Sequence, residues 1–250
     1  MDTSEACTPV FEIVGSQSTR SDLAVRREVK FTLPGADLGR LRDVLDANCR
    51  RLIHNDRIST VRSIYFDDVR LSACQANLAG VGKRQKLRLR WYDSLNPGAD
   101  FFFEIKWREN RITGKHRLQL RAARPLAEMS YRQIMNGLIE ALPKQHVGRV
   151  LAASEPVAIV EYKREHFASP DGSLRITLDY DLTFYDQTGK RYINKSFPHR
   201  LHDLVVVEGK TPVGRERELR AMLYPLALRV GRCSKYVHGC RLLNLIPSAA

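Results

Sequence analysis

The stretch Lys86-Leu87-Arg88-Leu89-Arg90-Trp91 decides how the rest of the chain is read. Side chains of a strand alternate between two faces, so Lys86, Arg88 and Arg90 share one face and Leu87, Leu89 and Trp91 the other. The alternation returns in Arg26, Glu28 and Lys30, in Glu104, Lys106 and Arg108, in Lys115 and Arg117, in Arg175 with Asp179, and in Glu208 with Lys210. One such strand is most simply a solvated face. Recurrence in neighbouring segments, with Lys and Arg dominating the polar face, points to a phosphate-rich ligand.

Composition agrees with an anionic partner. The 250-residue chain carries a formal charge of +13 and a pI near 9.8, which favours nucleic acid, polyphosphate, nucleotide or an anionic membrane surface. No run approaches the roughly 18 to 20 apolar residues of a membrane span, and no cationic start precedes an apolar run. The expectation is a soluble, cytoplasmic protein, with any membrane contact peripheral to the inner face. Cys7, Cys49, Cys74, Cys233 and Cys240 are odd in number and lack CxxC spacing, so they read as ordinary reduced thiols.

Met1 to Ser21 is rich in Ser and Thr without a sustained period and reads as a flexible tail. Residues 22–246 read as a single domain. Helical spacing of Leu38, Leu41, Leu45 and Cys49 predicts a helix over 36–48, and a second helical run carries Ile134, Met135, Leu138 and Leu142. Strands are expected at 62–68, 101–108, 115–121, 157–167, 174–182 and 204–210, besides those already quoted. A helix around Leu219 to Leu226 is shortened by Pro225, and Ser234 caps a last short helix.

Seven or eight antiparallel strands with several helices make an α+β pattern. Such a sheet can lie open to water, or close into a barrel that turns the charged face inward and packs helices outside. Phosphoryl transfer accounts for the mixture of charges. Rows of Arg and Lys bind a phosphate chain and neutralise charge developing during reaction. Isolated carboxylates, Glu28, Glu104 and Glu208, suit a hard divalent cation that bridges phosphate oxygens. Neither a Walker-type Gly-x-x-x-x-Gly-Lys loop nor Gly-x-Gly-x-x-Gly is present.

The segments Arg27-Glu28-Val29-Lys30-Phe31, Ser63-Ile64-Tyr65-Phe66-Asp67, Lys86 to Tyr92, Phe103-Glu104-Ile105-Lys106, Lys115-His116-Arg117, Tyr162-Lys163-Arg164, Arg175 to Asp179, Val207-Glu208-Gly209-Lys210 and Ser234-Lys235-Tyr236 resemble, in order, those of the VTC (vacuolar transporter chaperone) domain. That domain is the polyphosphate polymerase branch of the CYTH-like triphosphate tunnel metalloenzymes. The resemblance implies a closed antiparallel β-barrel tunnel of about eight strands, with helices outside and the C-terminal helix at the tunnel mouth. It implies an enzyme that moves the ATP γ-phosphate onto a growing inorganic polyphosphate chain. Carried over by position, Arg88, Arg90, Lys106, Lys115, Arg164, Arg175 and Lys235 would be catalytic. Lys30, Lys86, Arg117, Tyr162, Lys210 and Ser234 would bind phosphate, and Glu208, with Glu28, would hold Mn2+ or Mg2+.

Hydrolytic members of that superfamily open with Glu-x-Glu-x-Lys, where this chain has Arg26, Glu28 and Lys30. Loss of one carboxylate lowers the capacity for a second metal and favours transfer between phosphates over hydrolysis. Hydrolysis of inorganic triphosphate or nucleotides, and plain polyanion binding, are the alternatives. Nucleic acid is not expected, because the aromatics fall mostly on the face opposite the cations. A separate membrane partner that receives the product is compatible with the sequence.

Among lesser candidates, His116, His166, His199 and His238 lack mutual metal-ligand spacing. Asp67-Asp68 reads as a solvated strand end. Asp179 and Asp181 read equally as metal ligands or, for Asp179, as the ion-pair partner of Arg175. Phe101-Phe102-Phe103 reads as strand core.

Overall fold

A computed structural model describes residues 10–22, 26–54, 56–226 and 228–247. Its strands are β1 (Phe11–Asp22), β2 (Arg26–Leu33), β3 (Arg50–Leu52), β4 (Ser59–Asp67), β5 (Lys83–Tyr92), β6 (Asp100–Glu109), β7 (Ile112–Ala122), β8 (Glu155–Ala168), β9 (Arg175–Asp186), β10 (His199–Leu201), β11 (Val205–Pro212) and β12 (Arg229–Val230). The helices are α1 (Leu38–Asn48), α2 (Ser72–Leu78), α3 (Tyr131–Ala141), α4 (Lys144–Leu151), α5 (Glu216–Leu223) and α6 (Lys235–Leu242). None is long and apolar enough to cross a membrane.

The strands form one antiparallel sheet in the order β1-β7-β6-β5-β4-β8-β9-β11-β2-β12, with β3 beside β8 and β10 beside β9. The expected closed barrel does not form. Among the described residues no ladder joins β1 to the β2–β12 end, and the reason lies in the edges. β2 gives one edge to β11, while β12 pairs with its Phe31 and Thr32. That edge is therefore taken where a closing strand would pair, and the first and last strands stay apart.

The tail reading also needs correction. Phe11–Asp22 is β1, paired with β7 from Phe11↔Ala122 to Asp22↔Ile112; residues 1–9, including Cys7, lie outside the described residues. Cys49, Cys74, Cys233 and Cys240 are free thiols.

Apolar residues on the back of the sheet bury against helices. Leu87, Leu89, Trp91, Phe101, Phe103 and Ile105 pack in one cluster with Ile134, Met135 and Leu138 of α3. Ser130 starts that helix with a full capping box, its hydroxyl accepting from Gln133 N–H while the Gln133 side chain accepts from the Ser130 backbone. A second cluster joins β2, β9 and β11 to α1 and α5. Gly209 permits that contact, since a Cβ there would lie 2.2 Å from Leu219 Cδ2. α5 ends at Leu223 and gives way to a 3-10 turn containing Pro225.

α6 packs Tyr236, Val237 and Cys240 against Val160, Leu182 and Phe184. It thereby brings its N-terminus to the cationic face of the sheet.

Candidate phosphate-binding cleft

The concave face encloses a cleft of about 1910 Å³. All fifteen site residues expected from sequence line it: Glu28, Lys30, Lys86, Arg88, Arg90, Lys106, Lys115, Arg117, Tyr162, Arg164, Arg175, Glu208, Lys210, Ser234 and Lys235. Strand register explains the convergence. Lys86 faces Lys106 across β5–β6, Lys106 faces Lys115 across β6–β7, and Glu208 faces Lys30 across β11–β2.

Two carboxylate-centred knots organise these cations. In the first, Glu104 is 1% exposed. Its Oε2 accepts from Arg88 Nε at 2.8 Å, and Arg90 Nη1 lies 3.8 Å away. Its Oε1 lies 3.4 Å from Arg117 Nε and 4.0 Å from Lys115 Nζ. Burial works against ionising Glu104, but Arg88 and Arg90 outweigh it and hold the carboxyl far below its usual range. Phenols then aim the arginines: Tyr65 accepts from Arg88 (2.8 Å), Tyr162 from Arg90 (3.3 Å) and Tyr92 from Arg117 (3.2 Å).

The second knot joins β2, β8, β9, β11 and α6. Arg164 donates to both oxygens of fully buried Asp179, at 2.5 and 2.6 Å, and Lys235 pairs with the same carboxylate. Glu208 accepts from Lys30 Nζ at 2.7 Å, with Lys235 at 3.7 Å and Arg164 at 3.8 Å. Lys30 also lies 3.2 Å from Glu28, whose Oε1 is 3.6 Å from Lys106. Lys106 chiefly lowers the Glu28 carboxyl to about 2, and burial only partly opposes it. Burial likewise opposes charge on Lys30, yet Glu208 and Glu28 raise its pKa above the ordinary value.

Other lysines behave oppositely. Burial, aided by Lys106, Lys30 and Arg84, pushes Lys86 down to about 7. Its ammonium donates to Ser234 Oγ at 2.7 Å, and that hydroxyl also caps α6 by accepting from Val237 N–H. Burial, with Arg117 and Arg88 beside it, pushes Lys115 down to about 8 despite Glu104. A ligand bearing negative charge restores the protonated form of both.

Several expectations change. Glu104, one of the isolated carboxylates suited to a cation but absent from the roles that the resemblance implies, is the hub of the first knot; its position opposite Arg117 in the hairpin closed by Asn110 and Arg111 was the available signal. Asp179 holds Arg164 and Lys235 rather than Arg175, which stands exposed opposite Lys210. Asp181 pairs with Lys163 and does not line the cleft. Asp67 is no solvated strand end, because it is 2% exposed and accepts from Ala73 N–H, Cys74 N–H and the Tyr236 hydroxyl. Tyr65, Tyr92, Tyr162 and Phe102 stand among the cations, with Arg117 stacked 3.7 Å over Phe102. Phe101 and Phe103 are core. His166 and His238 line the cleft. The Arg26 side chain lies outside what is described.

Among the described residues no three His, Cys, Asp or Glu groups form a metal cluster. Glu28 and Glu208 flank the Lys30 ammonium as two separate carboxylates. That donor set suits a small hard cation that draws its remaining ligands from phosphate and water.

The VTC domain family model matches residues 25–244. No curated protein matches the chain in sequence. Among solved structures, a putative adenylyl cyclase from Hippeastrum, HpAC1, with a dominant triphosphatase activity, superposes with a TM-score of 0.45 at 17% identity, covering 85% of this chain and 93% of that one. The PH1819 protein from Pyrococcus horikoshii OT3 gives a TM-score of 0.46 at 13% identity, covering 88% of this chain and all of that one.

Proposed function

The chain belongs to the VTC domain family, and from that membership we propose that it is a polyphosphate polymerase, which transfers the ATP γ-phosphate to the end of a growing inorganic polyphosphate chain. One observation carries the reading. The expected cations line a single cleft, and its carboxylates are already engaged by Lys or Arg.

This pairing bears on the choice of nucleophile. Water attacking phosphorus profits from a base, and a carboxylate held at about 2 by Lys106 is a poor one. A terminal phosphate oxygen is already anionic at neutral pH and needs positioning rather than deprotonation. Arg88, Arg90 and Arg117, aimed by Glu104 and three phenols, would hold phosphate oxygens in fixed geometry and stabilise the charge that develops on them. Arg164, Lys235 and Lys30 would do the same from the opposite wall.

Glu208, with Glu28, would hold Mn2+ or Mg2+; such an ion, when bound, neutralises phosphate oxygens. No glycine loop is available for the triphosphate, so side chains would carry its recognition.

Incubation of the purified protein with ATP and Mn2+ or Mg2+ should yield an anionic polymer that resists nuclease and is degraded by an exopolyphosphatase. Arg88→Ala and Glu208→Ala should each lower the rate by about a hundredfold or more. Release of free phosphate without polymer would replace this reading with hydrolysis, and tight binding without turnover would replace it with polyanion capture.

A further inference from the structure

Among the carboxylates lining the cleft, Glu28 and Glu208 serve the inner cations and Glu216 pairs with Arg27; beside Arg84, Arg108 and Arg232 that compensation stops. Arg84 and Arg108 lie directly opposite each other on β5 and β6, at the last inward-facing positions before the strands end. Arg232, between β12 and α6, rests its guanidinium against Gly80, where a Cβ would come within 3.0 Å of Nη1. Among the described residues none of the three forms an ion pair. Arg84 donates to the Val81 carbonyl and Arg108 to the Asn110 carbonyl.

Like charges directly opposite in an antiparallel pair repel. Burial, together with Arg108 and Arg232, depresses the Arg84 pKa, which registers that crowding. Three guanidinium groups gathered without a carboxylate are an arrangement completed by an anion from outside. All three line the same cleft as the inner cations, so one extended ligand can span both sets.

We propose that Arg84, Arg108 and Arg232 form a separate chain-holding subsite for inorganic polyphosphate, gripping the already grown part of the chain while its end reacts among the inner cations. The identity of that chain as product rests on the polymerase reading; the subsite itself requires only a long polyanion. Two linked contacts make rebinding intramolecular, so the chain stays attached between additions and synthesis is processive. A short anion held by the inner cations gains nothing from the outer ones.

The test compares tripolyphosphate with long-chain polyphosphate, titrated into the wild-type chain, the Arg84→Ala/Arg108→Ala variant and the exposed-site variant Arg232→Ala, with folding checked by circular dichroism. Long-chain affinity should fall about tenfold in each variant while tripolyphosphate affinity stays within about twofold. The polymer made from ATP should also shorten. Equal losses for both ligands would place these arginines in the reacting site and overturn the proposal. Unchanged long-chain affinity in both folded variants would overturn it as well. A wild-type chain that makes no polymer, yet shows the length-selective loss, would keep the subsite and sink the polymerase reading instead.

Discussion

Lys86 and Lys115 make the cleft sensitive to pH near neutrality. With pKa values held at about 7 and about 8, both lose charge as pH rises, while Lys30 and Lys235, paired with carboxylates, keep theirs. Tripolyphosphate binding should therefore weaken about tenfold or more between pH 6 and pH 9 and should take up protons near pH 8, as calorimetry in buffers of different ionisation enthalpy would show. Lys86→Arg should flatten the profile, and an unchanged profile would argue against Lys86 as a phosphate contact. The sign for folding is the reverse. The folded pKa of Lys86 lies below its ordinary 10.5, so between those values the unfolded chain binds more protons and stability rises with pH. Glu104 acts in the opposite sense, as the charge that lets Arg88, Arg90 and Arg117 coexist. Glu104→Gln should cost about 3 kcal/mol in denaturant unfolding, and added tripolyphosphate should recover part of it.

At the level of elements, α6 is a carrier for the site. Its N-cap Ser234 and first residue Lys235 line the cleft, and its body is fixed by Tyr236, which stacks on Tyr65 and donates to Asp67 at 2.7 Å. Tyr236→Phe leaves a buried carboxylate short of one donor and should destabilise the protein by about 1–2 kcal/mol, measured by chemical denaturation. The strands that hold the site were readable because their period of two is strong and their inward residues are charged. β1 was not, since Gly15, Ser16, Gln17, Ser18 and Thr19 are small or polar whichever face they occupy, and such a strand resembles a tail in composition. The partner of Asp179 was hidden for a related reason. Spacing within β9 pointed to Arg175, whereas the register with β8 sets Asp179 opposite Arg164. Closure of the sheet was equally unreadable, because it depends on which strands share an edge, and the two-residue β12 that takes the β2 edge carries no periodic signal of its own.

For the whole molecule, a formal charge of +13, with so many of its cations lining one cleft, favours electrostatic attraction of an anionic ligand. Polyphosphate affinity should fall at least tenfold between about 50 and 200 mM salt, with a linear dependence of log K on log salt. A flat dependence would mean that the cleft is not the contact surface. The same charge should make thermal stability rise steeply with added polyanion, because binding only to the folded state removes repulsion among the arginines.

The unclosed seam between β1 and the β2–β12 end changes how a long molecule can reach the cleft. A complete ring of hydrogen-bonded strands would accept a polymer only by threading a free terminus through it. Here no ladder among the described residues bars the seam, and Glu28 of β2 meets Lys106 of β6 across the cleft only through a side-chain ion pair at 3.6 Å, which can part and re-form without breaking a ladder. A polymer can then be laid in sideways, from the middle of its length. Cyclic polyphosphate, or a chain anchored at both ends, should bind this protein about as well as a free linear chain of the same size.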